Sequence, residues 1–197
     1  MTYICQTVQK NNSNIGVWGM LLLLAFVWGS SFILMKVAIF DSAGDVVYTP
    51  LEVAALRIAI AAIVLLPISI KCLKSIKRPQ VLPLLAIGTL GNLIPAYLFT
   101  SAVSEIPSAI AGMLNALTPL FTMVIAALVF KTAVSKVQFS GLSFGFIGAV
   151  LLAVGGFNIE SLHGGIEWWA SGRVVLATLC YGISVNVLKN KLEGVPS

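Results

Sequence analysis

Long apolar stretches alternate with short polar segments along the whole of this chain. Six stretches carry few charges or none: residues 17–38, 50–70, 81–103, 106–130, 137–157 and 168–188. A helix needs about 20 residues to cross the hydrocarbon core of a bilayer, so each stretch is long enough. A lone strand would leave its backbone N–H and C=O groups unpaired in lipid. The pattern therefore predicts an all-α integral membrane protein with six transmembrane helices.

Basic and acidic residues alternate between the segments that join these stretches. The segments on one predicted side hold nine of the 12 basic residues: Lys10, Lys71, Lys74, Lys77, Arg78, Lys131, Lys136, Lys189 and Lys191. Six of the seven acidic residues fall at the opposite side. Because short segments rich in Lys and Arg stay in the cytoplasm, both termini are predicted to be cytoplasmic. The expected location is the cell (inner or plasma) membrane.

Composition narrows the class of protein further. Of all residues 58% are hydrophobic and 10% are charged, against roughly 25% charged in a typical soluble domain. The net charge of +5 sorts by membrane side and forms no stripe, so no nucleic-acid partner is expected. Three scattered cysteines and the single His163 give neither a disulfide framework nor a metal site. With no phosphate-loop or hydrolase motif, the sequence predicts no cofactor and no enzyme.

An internal repeat links the first and last stretches. Residues 23–36 align without a gap with residues 176–189. The alignment pairs Trp28 with Tyr181, Gly29 with Gly182, Ser31 with Ser184 and Lys36 with Lys189. The two units begin five spans apart, and because five is odd the second unit starts from the opposite side of the membrane. This arrangement is an inverted repeat, which lets one half of a transporter rock against the other.

Several sequence motifs together resemble the EamA-type family of the drug/metabolite transporter superfamily. The motifs are WGSSF at 28–32 followed by Lys36, PLEVAALR at 50–57, SAIAG at 108–112 with LTPL at 117–120, and the glycine-rich segment 141–155. The resemblance implies a secondary transporter of small metabolites, built in that family from ten helices in two repeats. This sequence departs from the pattern at Lys131, where the family often has glutamate, and it lacks four helices of the second repeat.

The predicted organisation follows from the repeat and the resemblance. A polar cytoplasmic tail (1–16) precedes one complete five-helix repeat (17–157). An external loop (158–171) leads to the first helix of an incomplete second repeat (172–197). The first stretch is predicted to be retained as a span, since it is longer than the apolar core of a signal peptide and lacks a cleavage pattern.

Polar and helix-breaking residues within the spans are candidates for a substrate path. In the third stretch Pro95 cannot donate to the carbonyl of Gly91, and Asn92 and Tyr97 lie nearby in sequence. In the fourth stretch Pro119 frees the carbonyl of Asn115 in the same way. These residues could bind substrate, or they could serve as packing kinks whose amides bond a neighbouring helix.

Charged and aromatic residues in the first two stretches extend this list. Arg57 lies well inside the second stretch, where it either reaches outward to lipid headgroups or binds an anionic substrate. Trp28 and Ser31 lie near the middle of the first stretch, and Trp28 could stack on substrate or simply pack. Glycines at 141, 145 and 148 predict a close helix contact, within this half or between two halves.

The sequence thus favours a transporter that moves a small organic metabolite across the inner membrane by alternating access. Its partners are the lipid bilayer and that metabolite, and a homodimer or a longer protein is the assembly that would complete it. The alternative is a truncated or non-transporting membrane subunit or scaffold, which the four missing helices favour.

A reporter fused after Ser197 tests the predicted orientation. A fluorescent protein there is expected to be bright and alkaline phosphatase inactive, because the C-terminus should remain in the cytoplasm. The same reporters placed in the predicted external loop should show the opposite pattern. Phosphatase activity from the Ser197 fusion would contradict the proposed six-pass topology.

Overall fold

The computed structural model describes residues 14–73, 76–156 and 168–192 of the chain. In this part the regular secondary structure is helical, turns and short irregular segments join the helices, and Phe40 and Val46 form an isolated bridge. In chain order the elements are α1 (Asn14–Ile39), α2 (Pro50–Leu73), α3 (Arg78–Gly88), a π-helical turn (Thr89–Leu93), α4 (Ile94–Val103), α5 (Ser108–Asn115), α6 (Leu117–Leu128), α7 (Lys136–Gly156) and α8 (Trp168–Lys191). The all-α integral membrane fold is confirmed. Most of the predicted tail and of the predicted external loop lies outside the described residues.

Five helical segments of the described chain are long and apolar enough to cross a membrane. They are Gly16–Ile39, Pro50–Ile70, Arg78–Val103, Ser108–Leu128 and Trp168–Lys191. The third joins α3, the π-helical turn and α4, and the fourth joins α5 and α6. Helix α7 occupies the remaining predicted stretch. Each of the six apolar stretches is therefore helical over most or all of its length.

Local sequence explains where α2 begins. Thr49 and Glu52 form a capping box: the Thr49 N–H and hydroxyl both donate to Glu52 Oε2 at 2.8 Å. The Glu52 N–H donates to Thr49 Oγ1 at 3.3 Å. This exchange satisfies backbone donors that the first turn of a helix leaves unpaired. The Glu52 carboxylate is thereby held in the first turn of α2, three residues after the capping residue Thr49.

Helix α8 is the central packing element. Its most apolar window is 39% buried, against at most 11% in the other four candidate spans. It contacts α3, the π-helical turn, α4, α5 and α6. Its buried residues are small or medium in size: Ala170, Val174, Ala177, Thr178, Cys180, Gly182, Ser184 and Asn186. Small side chains let helix backbones approach closely, which is how helices associate in lipid.

Two glycines make the closest helix contacts. A Cβ atom at Gly182 would lie 3.0 Å from the backbone nitrogen of Thr122 in α6, and one at Gly91 would collide with the Ser184 hydroxyl. At Gly141, Gly145 and Gly148 of α7 no heavy atom lies within 4 Å of such a Cβ. Among the described residues these three glycines therefore make no close helix contact within this half. The other predicted alternative, a contact between two halves, stays a prediction.

Polar contacts join three helix ends at the side predicted to be external. Arg173 of α8 forms an ion pair with Glu105, and its Nη1 donates to the Ser101 carbonyl at 3.2 Å. Lys36 near the end of α1 donates to the Ile106 carbonyl at 3.3 Å. These bonds tie α1 and α8 to the turn that joins α4 and α5.

Substituting Gly182 with valine is expected to destabilise the fold. Two added methyl groups would press on the α6 backbone, and overpacking of this kind typically costs about 1–3 kcal/mol. The melting temperature in detergent should fall for Gly182→Val. Gly145→Val on α7 is the matched control, since it meets open space. Equal melting temperatures for the two variants would contradict the assignment of the α6–α8 contact as a packing centre.

Candidate functional site

A cavity of about 710 Å³ lies near the middle of the described bundle. Its walls come from α1, α2, the π-helical turn, the start of α4, the end of α5 and the middle of α8. Each of the five candidate membrane spans contributes a lining residue close to its own midpoint: Trp28, Ala61, Asn92, Asn115 and Tyr181. The cavity therefore sits near mid-membrane depth. Its volume falls in the range of about 300–1,000 Å³ that is typical of small-molecule sites.

Aromatic side chains form one wall of this cavity, which we call the aromatic wall: Trp28, Phe32, Phe99 and Tyr181. The rings of Phe32 and Phe99 meet edge to face, with centroids 5.6 Å apart. Phe99 and Tyr181 are tilted, with centroids 5.9 Å apart. Such contacts hold the rings in place. The wall therefore offers a firm apolar surface to a bound molecule.

Arg57 is the charged residue among the described side chains that line the cavity. Its Nη1 lies 2.7 Å from the sulfur of Met35, a buried residue of α1. The Thr100 hydroxyl approaches the same sulfur at 3.7 Å. A thioether is a weak, neutral acceptor. The contact therefore orients the guanidinium without neutralising its charge.

Two asparagines bring amide groups to the cavity at irregular points of the backbone. Asn92 lies in the π-helical turn, directly before the helix that begins with Ile94 and Pro95. Asn115 ends α5, and its Oδ1 accepts a hydrogen bond of 3.1 Å from the Thr118 hydroxyl. Irregular backbone at membrane depth is tolerated where it is covered by protein or lines a cavity.

The structure brings most of the predicted path residues together. Trp28, Ser31, Arg57, Asn92 and Asn115 all line the central cavity. The role of these residues in transport stays a prediction, but their convergence from four separate segments is a property of the fold.

Three other predicted path residues lie elsewhere. Pro95 is fully buried in the first turn of α4, so it shapes the turn without lining the cavity. Tyr97 is 46% exposed on α4 and is absent from the cavity lining. Pro119 lines a second cavity, of about 1130 Å³, near the side predicted to be cytoplasmic. We call this second space the inner cavity.

The central and inner cavities share two residues, Trp28 and Asn115. The inner cavity continues along α6 and α8 past Thr118, Thr122 and Asn186 to Lys189. Asn186 is 2% exposed and donates to the carbonyls of Thr122 at 2.9 Å and Gly182 at 2.8 Å. These bonds fix α8 against α6 beside the cavity.

Sequence reasoning missed several cavity residues, notably Phe32, Met35, Phe99 and Tyr181. Apolar and aromatic residues in a span give no signal that separates a cavity wall from lipid-facing surface. Tyr181 could have been found, because the repeat pairs it with Trp28 and both rings reach the same cavity from different helices.

The fold and the site together define a helical integral membrane protein. Its mid-membrane cavity has the size of a small-molecule site and is lined by a few polar residues. The chain belongs to the EamA-like transporter family, whose sequence model matches residues 15–154. It is 30% identical over 193 residues to the "uncharacterized inner membrane transporter YedA" of Escherichia coli strain K12, covering 91% of this chain and 60% of that protein. The YedA proteins of strains O6:H1 and O157:H7 match with the same identity and coverage. No solved structure matches the chain significantly.

The chain spans about 60% of the length of these relatives. Family membership and the membrane-embedded fold are therefore established by the comparisons and the structure.

Cysteine labelling tests whether the central cavity holds water. Ser31→Cys in a background without Cys5, Cys72 and Cys180 should react with a membrane-impermeant maleimide, because position 31 lines the cavity. Leu34→Cys is the matched control, since Leu34 lies on the same helix, is 63% exposed and lines neither the central cavity nor its neighbours. We expect it to face lipid and to react several-fold more slowly. Equal labelling of both positions would contradict a solvated cavity.

Proposed function

We propose that this chain forms the substrate-binding part of a secondary transporter that moves a small organic metabolite across the inner membrane by alternating access. The observation that carries the proposal is the central cavity, which gathers Arg57, Asn92 and Asn115 at mid-membrane depth. Membership of the EamA-like transporter family supports it. Transporter sites of this kind lie near the bilayer midplane, beside discontinuous helices.

The energetic cost of these polar groups supports a functional role. An arginine near the centre of a span costs at least about 2.5–3.5 kcal/mol on insertion scales. Packing alone does not require such a group, since a leucine would fill the space without the penalty. A binding site gives the charge a function, because bound ligand recovers part of the cost through charge-assisted hydrogen bonds.

The two cavities supply a route for alternating access. Trp28 and Asn115 stand where the central cavity meets the inner cavity. Movement of α1 or of the α5–α6 break at Ala116 would widen or close this junction. In the proposed mechanism the bundle passes between states in which the central cavity opens to one side of the membrane at a time.

The proposed organisation is one five-helix repeat, residues 17–157, and the first helix of an inverted second repeat within 172–197. The packing of α8 against α4 and α6 supports a close interface between these two units. A homodimer or a longer protein would supply further helices. The proposed orientation has both termini in the cytoplasm.

Uptake into proteoliposomes tests the proposal. The purified full chain should accumulate at least one member of a set of radiolabelled metabolite pools above the level of empty liposomes. Trp28→Ala should lower that uptake several-fold, since Trp28 lines both cavities. Trp18→Ala is the matched control, because Trp18 lies on the same helix, 66% exposed, and lines neither cavity.

The same assay can contradict transport. Correctly folded protein that moves no pool would contradict the proposal. Native mass spectrometry would then identify the alternative, a membrane subunit or scaffold, if the chain is found only in complex with a different protein.

A further inference from the structure

We infer that the metabolite bound in the central cavity is an organic monoanion, with a carboxylate held by Arg57 and an apolar or aromatic body against the aromatic wall. The inference rests on the proposed function and names the substrate class. It starts from the charges that line the two cavities. Each cavity has one cation among its described lining residues, Arg57 in the central cavity and Lys189 in the inner cavity. Neither lining includes an aspartate or glutamate.

The charge of Arg57 is not balanced by the surrounding described residues. Across residues 14–73, 76–156 and 168–192, no carboxylate lies within 4.0 Å of its guanidinium. The nearest acid in sequence, Glu52, is occupied by the Thr49 cap. Glu105 is paired with Arg173, and Asp41 accepts from the backbone of its own loop. These three acids of the described chain are thus engaged at helix ends or in a loop, and none of them lines the central cavity.

The guanidinium is oriented and retains spare donors. Arginine has five N–H donors in a rigid fork, and the contact of Arg57 with the buried Met35 sulfur uses only Nη1. A carboxylate can accept two parallel hydrogen bonds from such a fork. Because Met35 is neutral, it restrains Arg57 without competing for charge. An anionic ligand would therefore supply a counter-charge that the described residues around Arg57 do not provide.

The shape and chemistry of the remaining wall define the rest of the ligand. Trp28, Phe32, Phe99 and Tyr181 give an aromatic surface, and Asn92 and Asn115 provide neutral amide groups. An ammonium group placed here would be repelled by Arg57 and would find no carboxylate in the lining. A zwitterion would place its carboxylate at Arg57 but would find only neutral acceptors in the described lining for its ammonium group. The cavity therefore favours a monoanion over a zwitterion, and a zwitterion over a cation.

Lys189 extends the same charge preference along the route. It lines the inner cavity, about two helical turns from Tyr181 along α8 by sequence spacing. An anion that leaves Arg57 toward this side meets a second cation and no acid. We assign Lys189 to passage rather than to binding, since it lies outside the central cavity lining.

Binding of three matched probes tests the inference. 3-Phenylpropionate, L-phenylalanine and phenethylamine share a phenyl group and a short alkyl chain but are an anion, a zwitterion and a cation at pH 7. Titration of the purified full chain in nanodiscs should rank their affinities in that order. Arg57→Gln should weaken 3-phenylpropionate binding about tenfold or more, as expected for loss of a charged hydrogen-bond partner. Arg57→Lys should retain part of the affinity, and melting temperatures should show that both variants fold.

A transport assay with the same probe tests Lys189. Lys189→Gln should slow uptake of 3-phenylpropionate several-fold while its binding affinity stays within about twofold. Lys136→Gln is the matched control, because Lys136 is an exposed lysine at the same side that lines neither cavity. Equal uptake by the two variants would overturn the role of Lys189.

Failure of this inference is distinguishable from failure of the proposed function. Tighter binding of phenethylamine, unchanged affinity in Arg57→Gln, or no binding of 3-phenylpropionate would overturn the anion assignment, whatever is transported. Selective anion binding without uptake of any metabolite would instead uphold the assignment and contradict transport.

Discussion

The need to pair every backbone N–H and C=O group inside the protein governs this structure. Lipid offers no hydrogen bonds, so apolar stretches of this length become helices. The helices are interrupted at two places within the membrane, the π-helical turn at Thr89–Leu93 and the break at Ala116. Both interruptions border the central cavity through Asn92 and Asn115. Backbone irregularity is confined to places where protein or a polar space covers it, and these are the places where a ligand could bind.

Helix α8 packs against the helices from α3 to α6 and contributes side chains to both cavities. Its small residues allow close approach to α6 and to the π-helical turn, most clearly at Gly182 and at Ser184 beside Gly91. Asn186 adds two hydrogen bonds at the α6 contact. The same helix presents Tyr181 to the central cavity and Lys189 to the inner cavity. Residues that pack and residues that line the cavities are therefore neighbours on one element, and Asn186 does both.

The predicted residues that line the central cavity are mostly those whose polarity made them conspicuous in the sequence. Ser31, Arg57, Asn92 and Asn115 stand out because polar groups in a span are costly, and all four reach the cavity. Tyr97 and Pro95 were equally conspicuous in the sequence, but helix phase turns Tyr97 outward and Pro95 into the packed interior. The glycines of α7 show the same limit, since a small residue marks a contact only where another helix lies against it.

The sequence by itself determined the class of protein, the positions of the helices and the distribution of charges between the two predicted sides of the membrane. These properties depend on the hydrophobicity and length of each apolar stretch and on the charges beside it, which act locally through contact with lipid and water. Only the tertiary structure decided which residues share a cavity, that Met35 holds Arg57, and that aromatic rings from α1, α4 and α8 form one wall. Those relations depend on how helices distant in sequence are rotated and how they cross. Because lipid is as apolar as the side chains, it favours no particular arrangement, and packing between the helices decides it.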